Sequence, residues 1–346
     1  MNKLKGFNHP WHLAHQFELN RIPNVDWDWL INHRRHFADM PRGPKEDYNF
    51  EWVSDYEPGK YDFALLHLDQ QCLEPNLLNR GKGSLFRELN KVITDVPKIV
   101  LMHGTPYYPE MFSCDITEKN YKERGFTKHQ IGMSGTLIEL FKVVTKDCSF
   151  FIFNSKTAMR QWGFENNPNA KAIWHGMKPE EWFDLPKEPR VVTMISPGGL
   201  DKYYDRLFLK AVKEELRERS IEHCHITVDA KFKDWTEYRE FLGRSLLYFN
   251  PTRHSPMPRA RTEAMLSGCC VITTLNQDSE EFIEDGVNGI KALRNPQYIA
   301  DIVEGLLHKY DKAIEIGQAG KKTALDLFSL DRFLQEWEDI LTKIVK

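Results

Sequence analysis

Paired cysteines, a charge imbalance and long apolar runs are what this chain most lacks, and each shortage excludes a class of protein. The six cysteines (Cys72, Cys114, Cys148, Cys224, Cys269 and Cys270) are scattered and form no C-x-x-C pair. That argues against a disulfide framework or a zinc site and for reduced thiols in the cytoplasm. Adjacent Cys269 and Cys270 read as small buried residues. A formal net charge of −3 advertises no global polyanion-binding surface. No window approaches the roughly 18 apolar residues of a membrane span, and the opening MNKLKGFNHPWH has no continuous apolar core of the kind a signal peptide carries. The expectation is a cytoplasmic protein without a transmembrane segment. Low-complexity tracts and close repeats are absent as well.

What the chain does have is apolar material for two cores. Its 346 residues exceed an ordinary domain, and 41 % apolar with 28 % charged residues is a folded composition. Runs rich in β-branched and aromatic residues recur: YDFALLHLD (61–69), KIVLMHG (98–104), SFFIFNS (149–155), AKAIWHG (170–176), RVVTMIS (190–196), HITVDA (225–230), SLLYFNP (245–251) and CVITT (270–274). Most are too short for helices and nearly continuous, as strands buried on both faces are. Amphipathic stretches lie between them, at 84–95, 134–147, 203–219, 236–244 and 261–268. The alternation predicts an α/β protein with doubly wound parallel sheets. The series breaks at DLPKEPR (184–190), read as an interdomain linker. The expected division is residues 1–186, residues 187–328, and a terminal amphipathic helix at 329–346. Ser329 would cap that helix, which could pack back on either domain.

Ligands of doubly wound sheets bind at the carboxyl ends of the strands. The residues singled out there are His103-Gly104-Thr105-Pro106, His175-Gly176, Ser196-Pro197-Gly198-Gly199 and the segment after Phe249-Asn250-Pro251. Three of these neighbourhoods carry a family pattern. NPTRHSPMPRARTEAMLSGCCVITT followed by DSEEFIEDGVNGI, AKAIWHGMKPEEWFD, and KIVLMHGTP stand in order along the chain. Together they resemble the GT-B glycosyltransferases, in particular the retaining nucleotide-sugar group known as glycosyltransferase family 4. The resemblance covers about residues 60–325. It implies two Rossmann-like domains facing a central cleft, the first on the acceptor side and the second holding the nucleotide sugar, followed by the C-terminal helix.

By that resemblance Glu263 is the second glutamate of the family's E-x7-E motif and holds the nucleotide ribose, whose vicinal diol offers two hydrogen bonds to one carboxylate. Placed in the first turn of a helix, it would also be favoured by the helix dipole. The first glutamate is replaced by Ser255, and Pro256 and Pro258 replace a glycine-rich loop. Arg259 and Arg261 supply cationic donors for a diphosphate at the same place, or else are surface residues of an exposed turn. Lys202 falls near the family's phosphate-binding lysine, with Arg206 as a weaker substitute for a missing arginine. Gly198 and Gly199 would let backbone amides face the phosphate ahead of a helix N-terminus, or form a plain turn. His103, followed by Gly104, matches the family's contact to the donor sugar. His175 stands where the family usually has Asn.

The implied reaction moves a hexose from a nucleotide diphosphate sugar, such as a UDP- or GDP-hexose, to an acceptor hydroxyl, with retention and without a metal or other cofactor. His103 and Lys202 are the catalytic expectations. The acceptor stays open among a glycan, a lipid-linked glycan, a small molecule and a hydroxymethylated DNA base. For DNA, HRRHF (33–37) and RGKG (80–83) are the basic candidates. Loss of the first glutamate also allows a non-catalytic nucleotide-sugar-binding protein. Asp26-Trp27-Asp28 is the D-x-D signature of metal-dependent GT-A enzymes and forms a competing reading. His9, His12 and His15 have a spacing that could present imidazoles together. They are read as part of the cleft wall. Arg80-Gly81-Lys82-Gly83-Ser84 lacks P-loop spacing and reads as a turn before a helix.

Overall fold

A computed structural model of the chain describes residues 3–11, 13–31, 50–73, 81–106, 128–195, 203–227, 232–253, 255, 257–274 and 278–345. Lys202, Gly198, Gly199, His12 and the HRRHF segment lie outside them. The chain forms two compact units, the second running from Lys178 to Ser329 and the first including Lys128–Met177 and, at the far end, Leu330–Lys346. No helix among the described residues is long and apolar enough to cross a membrane.

Among the described residues of the first unit, seven parallel strands are ordered β3-β2-β1-β4-β5-β6-β7. They are β1 (Leu4–Asn8), β2 (Val25–Leu30), β3 (Phe50–Val53), β4 (Phe63–Leu68), β5 (Lys98–Met102), β6 (Phe150–Phe153) and β7 (Ala170–Ala172). Every residue of β4, β5 and β6 is buried, which is why these segments read as unbroken apolar runs. Strands β1 and β3, LKGFN and FEWV, carry too little contiguous apolar sequence to be recognised without their neighbours. Yet β1 is central, pairing with β2 on one side and β4 on the other. The order reverses between β1 and β4, the position where a doubly wound sheet opens a crevice.

The helix Leu330–Ile344 returns to this unit. Phe333, Trp337, Ile340 and Leu341 form one helical stripe buried with Trp27, Phe63, Ile99 and Ile173. A Cβ at Gly176 would lie 2.6 Å from the Phe333 ring, so the glycine allows the helix to approach. Arg332 donates from Nη2 to the carbonyls of Trp174 and His175 at 3.0 and 2.8 Å.

The described residues of the second unit form five parallel strands ordered β12-β11-β10-β8-β9: β8 (Glu188–Met194), β9 (His223–Ile226), β10 (Ser245–Asn250), β11 (Cys270–Thr274) and β12 (Ile290–Ala292). Here the order reverses between β8 and β10. The stretch 184–190 is anchored to this unit at both ends. Lys187 donates to the carbonyls of Gly243 and Ser267, Asp184 takes bonds from Gln318 and Lys321, and β8 already begins at Glu188. Cys269 and Cys270 are buried free thiols, as expected of small core residues.

Candidate functional site

In the second unit the segment after β10 leads to the helix Arg259–Leu266, which Pro258 precedes and left-handed Gly268 (φ 70°) follows. Because the helix starts at Arg259, Glu263 lies in its second turn and not in the expected first. Its side chain is wholly buried. Arg259 Nε donates to Glu263 Oε1 at 3.2 Å, and Tyr238 Oη donates to Oε2 at 2.8 Å. Tyr238 Oη also lies 2.7 Å from Sδ of Met194, the last residue of β8, which fixes the cluster at the carboxyl end of that strand. Tyr238 escaped the sequence reading because, within the helix Trp235–Arg244, it looks like any core aromatic.

Arg259 and Arg261 part company, since residues two apart on a helix do not face the same way. Arg261 is fully buried, neither on an exposed turn nor beside Arg259. Its Nη2 donates to Asp278 Oδ2 at 2.6 Å and its guanidinium lies 5.1 Å from the Phe282 ring centre. Burial pushes the Asp278 carboxyl up to about 7, against the pull of Arg261. Tyr204, beside Asn250 and Ser255, stands within electrostatic reach of both, and its hydroxyl is raised to about 12 by burial. Ser255 therefore joins the Tyr204 and Asn250 side of the segment. Arg206 opens the helix Arg206–Glu218 behind its Asp205 cap. It lines a surface concavity of about 610 Å³ with Lys210, Lys213, Arg217, His223 and His225, and neither Glu263 nor Arg259 lines that groove.

In the first unit the carboxyl ends of β1, β4 and β5 bring Asn8, His67 and His103 together, all buried. His67 Nδ1 lies 2.7 Å from His103 Nε2, with the rings stacked at 5.0 Å. Asn8 Oδ1 lies 3.1 Å from His67 Nε2, and Asn8 Nδ2 donates to Gln16 Oε1 at 2.6 Å. Gln16 Nε2 donates to the Trp11 carbonyl at 2.6 Å. Asn154 Nδ2 faces His103 Nδ1 at 3.4 Å. His15 sets its ring edge-on to His103 at 5.6 Å, and Trp11 tilts against it at 5.9 Å. His9 is buried and packs its ring beside Trp11. Gly104 is a close-approach glycine: a Cβ there would overlap Gln70 Oε1 at 1.4 Å, while its carbonyl accepts from Trp162 Nε1 at 2.9 Å. The sequence flagged His103 and Gly104 but missed His67, Asn8, Gln16 and Asn154, because polar residues inside or beside apolar strands give no signal until the sheet aligns them. His175 is buried and contributes its carbonyl to Arg332.

These two constellations sit on a fold with known counterparts. Residues 205–309 match the family described as Glycosyl transferases group 1. The structure of Anabaena HepE in complex with UDP and glucose superposes with a TM-score of 0.63 at 13 % identity, covering 98 % of this chain and 100 % of that one. Sucrose-phosphate synthase from Thermosynechococcus elongatus gives 0.63 at 10 % identity, covering 98 % of each. The chain has the GT-B glycosyltransferase fold. A further relative by sequence is mouse α-1,3/1,6-mannosyltransferase ALG2, 26 % identical over 159 residues; the match spans 44 % of this chain and 37 % of that enzyme.

The GT-B fold overturns the metal-dependent GT-A reading of Asp26 and Asp28. Both lie on β2, where Asp26 pairs with Lys3, and Asp28 pairs with Lys5 and Lys60 and accepts from Tyr61 Oη at 3.0 Å. Burial opposes ionisation of Asp28, but the bonds from Lys5, Lys60 and Tyr61 prevail and hold its carboxyl below the ordinary value. Those carboxylates are committed to a structural charge cluster.

Proposed function

We propose that this GT-B protein transfers a hexose from a nucleoside diphosphate sugar to an acceptor hydroxyl, with retention at the anomeric carbon and without a metal. The observation that carries this reading is the buried Tyr238–Glu263–Arg259 cluster at the carboxyl end of β8, beside the point where strand order reverses. HepE, similar throughout its length, is a structure holding UDP and glucose.

In this reading Glu263 accepts the two ribose hydroxyls, with Tyr238 and Arg259 fixing the carboxylate before the donor arrives. Preorganisation of this kind avoids reorganisation cost during the reaction. The leaving diphosphate is neutralised by Arg259 and Lys202, and Gly198 and Gly199 offer it backbone amides. Arg261 holds the segment through Asp278 instead of touching the donor. The departing phosphate helps deprotonate the acceptor hydroxyl.

The test is a panel of nucleotide sugars incubated with the full chain, read by mass spectrometry for hydrolysis and transfer. One donor series is expected to turn over, with product of retained configuration by NMR and unchanged rate in EDTA. Tight binding without turnover for every donor and acceptor would instead establish a nucleotide-sugar-binding protein, the reading favoured by Ser255 where the family carries a carboxylate. Neither binding nor turnover would overturn both.

A further inference from the structure

The concavity of about 610 Å³ in the second unit is lined by the helix Arg206–Glu218 and by β9, the outermost strand of its sheet among the described residues. Its charge is uneven. Arg206, Lys210, Lys213 and Arg217 follow at steps of four, three and four residues, so they form one stripe along the helix, about 16 Å from end to end. Like charges at that spacing disfavour a helix, and a face that only meets water gains by alternating sign instead. The carboxylates of the groove do not balance the stripe. Glu214 approaches Lys210 at 3.8 Å, and Glu222 takes the Cys224 thiol at 3.7 Å. Lys213 and Arg217 are exposed and have no ion-pair partner among the described residues. This cationic surface stands on a chain whose formal net charge is −3.

The two histidines of the opposite wall add no charge to it. The Phe249 carbonyl can only accept, so the Thr193 hydroxyl 2.8 Å away gives it its one proton and must accept from His223 Nε2 at 2.9 Å. His225 Nε2 likewise donates to the Ile195 carbonyl at 3.2 Å. Burial, reinforced by Lys213, lowers the pKa of both imidazoles, that of His223 to about 3, so at neutral pH each carries only the proton it has given to its neighbour. The binding charge of the groove is therefore that of the helix, and Leu209 and Ile221 supply apolar surface beside it.

We propose that this groove is a binding site for a polyphosphorylated small molecule, its phosphates held by Lys210, Lys213 and Arg217 and its carbon skeleton set against Leu209 and Ile221. Phosphate oxygens suit the guanidinium fork and the ammonium point charge alike. A concavity of this volume takes a small ligand, and a stripe of this length is matched by several phosphates and not by one. The inference stands apart from the donor reading, since neither Glu263 nor Arg259 lines the groove.

The test is calorimetric titration of the full chain with inositol hexakisphosphate at neutral pH and low salt. Binding at one site per chain is expected, weakening as salt is raised. Lys213→Gln with Arg217→Gln should weaken it at least about tenfold at unchanged melting temperature, whereas Lys213→Arg with Arg217→Lys keeps it and Arg259→Gln leaves it unchanged. A phosphorylated ring reaches a protein either free or as a lipid headgroup, and a parallel titration with phosphatidylcholine vesicles containing one-tenth phosphatidylinositol bisphosphate separates the two. Vesicle binding that needs Lys213 and Arg217 assigns a headgroup; binding of the soluble probe alone assigns a free ligand. No binding of either probe, or binding indifferent to the double Gln variant, would overturn the proposal and leave the stripe a solvated helix face. Duplex DNA bound through Lys213 and Arg217, with neither phosphorylated probe bound, would overturn it in favour of a nucleic-acid surface.

Discussion

At the scale of single residues, two buried ion pairs show what a charge costs and what it specifies. Asp28 is held by Lys5, Lys60 and Tyr61 inside the first unit. Because its folded carboxyl is held below 3.8, its contribution is complete above that pH and fades as the solution becomes more acidic. Asp28→Asn should lower stability at pH 7 by about 3 kcal/mol, leaving two ammonium groups beside a neutral amide, and the gap from wild type should narrow below about pH 4. Urea denaturation across that range measures both. Arg261 with Asp278 is the second pair. Asp278→Ala should cost about 3–5 kcal/mol, since it strands a guanidinium in the core, whereas the double change Arg261→Met with Asp278→Leu should recover most of that. If the single and double variants unfold at the same denaturant concentration, the pair is not acting as a unit. Glu263→Gln belongs at this scale too. It keeps the size of the side chain but loses charge, and should weaken nucleoside diphosphate binding by about tenfold in calorimetry, near 1.4 kcal/mol.

At the scale of elements, close approach decides more than propensity. The helix Tyr310–Leu327 lies on the turn that enters β11, and a Cβ at Gly317 would stand 2.4 Å from the Gly268 carbonyl and 3.0 Å from the Cys270 amide. Both obstacles are backbone, so neither can swing aside. Gly317→Ala should therefore destabilise by about 1–3 kcal/mol despite alanine's better helix propensity, with the sign read from the shift in melting temperature. The same substitution at Gly305, which has nothing within 4 Å of its Cβ, should be neutral or stabilising. Strands β4, β5, β6 and β10 are legible in sequence because burial on both faces demands continuous apolar residues. Strands β1, β3 and β12 are not, since their identity comes from the partners they hydrogen-bond.

At the scale of the whole molecule, each unit carries its own core, and the last helix completes the first of them. Ending the chain after Ser329 removes Phe333, Trp337, Ile340 and Leu341 from that core. Trp337→Ala alone should cost about 3–5 kcal/mol. The truncated chain is expected to lose the first unit's thermal transition and keep the transition of Lys178–Ser329, as calorimetry or limited proteolysis would show. Retention of both transitions would mean that the helix only covers a core stable without it. The sequence offered this helix either unit, because an amphipathic stripe states that it needs an apolar partner without naming which.

The sequence by itself determined the alternating strands and helices, and with them two doubly wound sheets, because periodicity and run length are local properties. It also determined that the stretch from Ser255 to Thr274 would be a loop, helix, glycine and strand, and that His103-Gly104 would end a strand. Only the tertiary structure decided that Arg261 turns inward to Asp278 while its neighbour Arg259 reaches Glu263, that Tyr238 completes the carboxylate's surroundings, and that Asn8, Gln16 and His67 stand behind His103. Those pairings join residues as many as 59 positions apart, and nothing local to any of them encodes the distance. It is set where strands from remote parts of the chain end side by side.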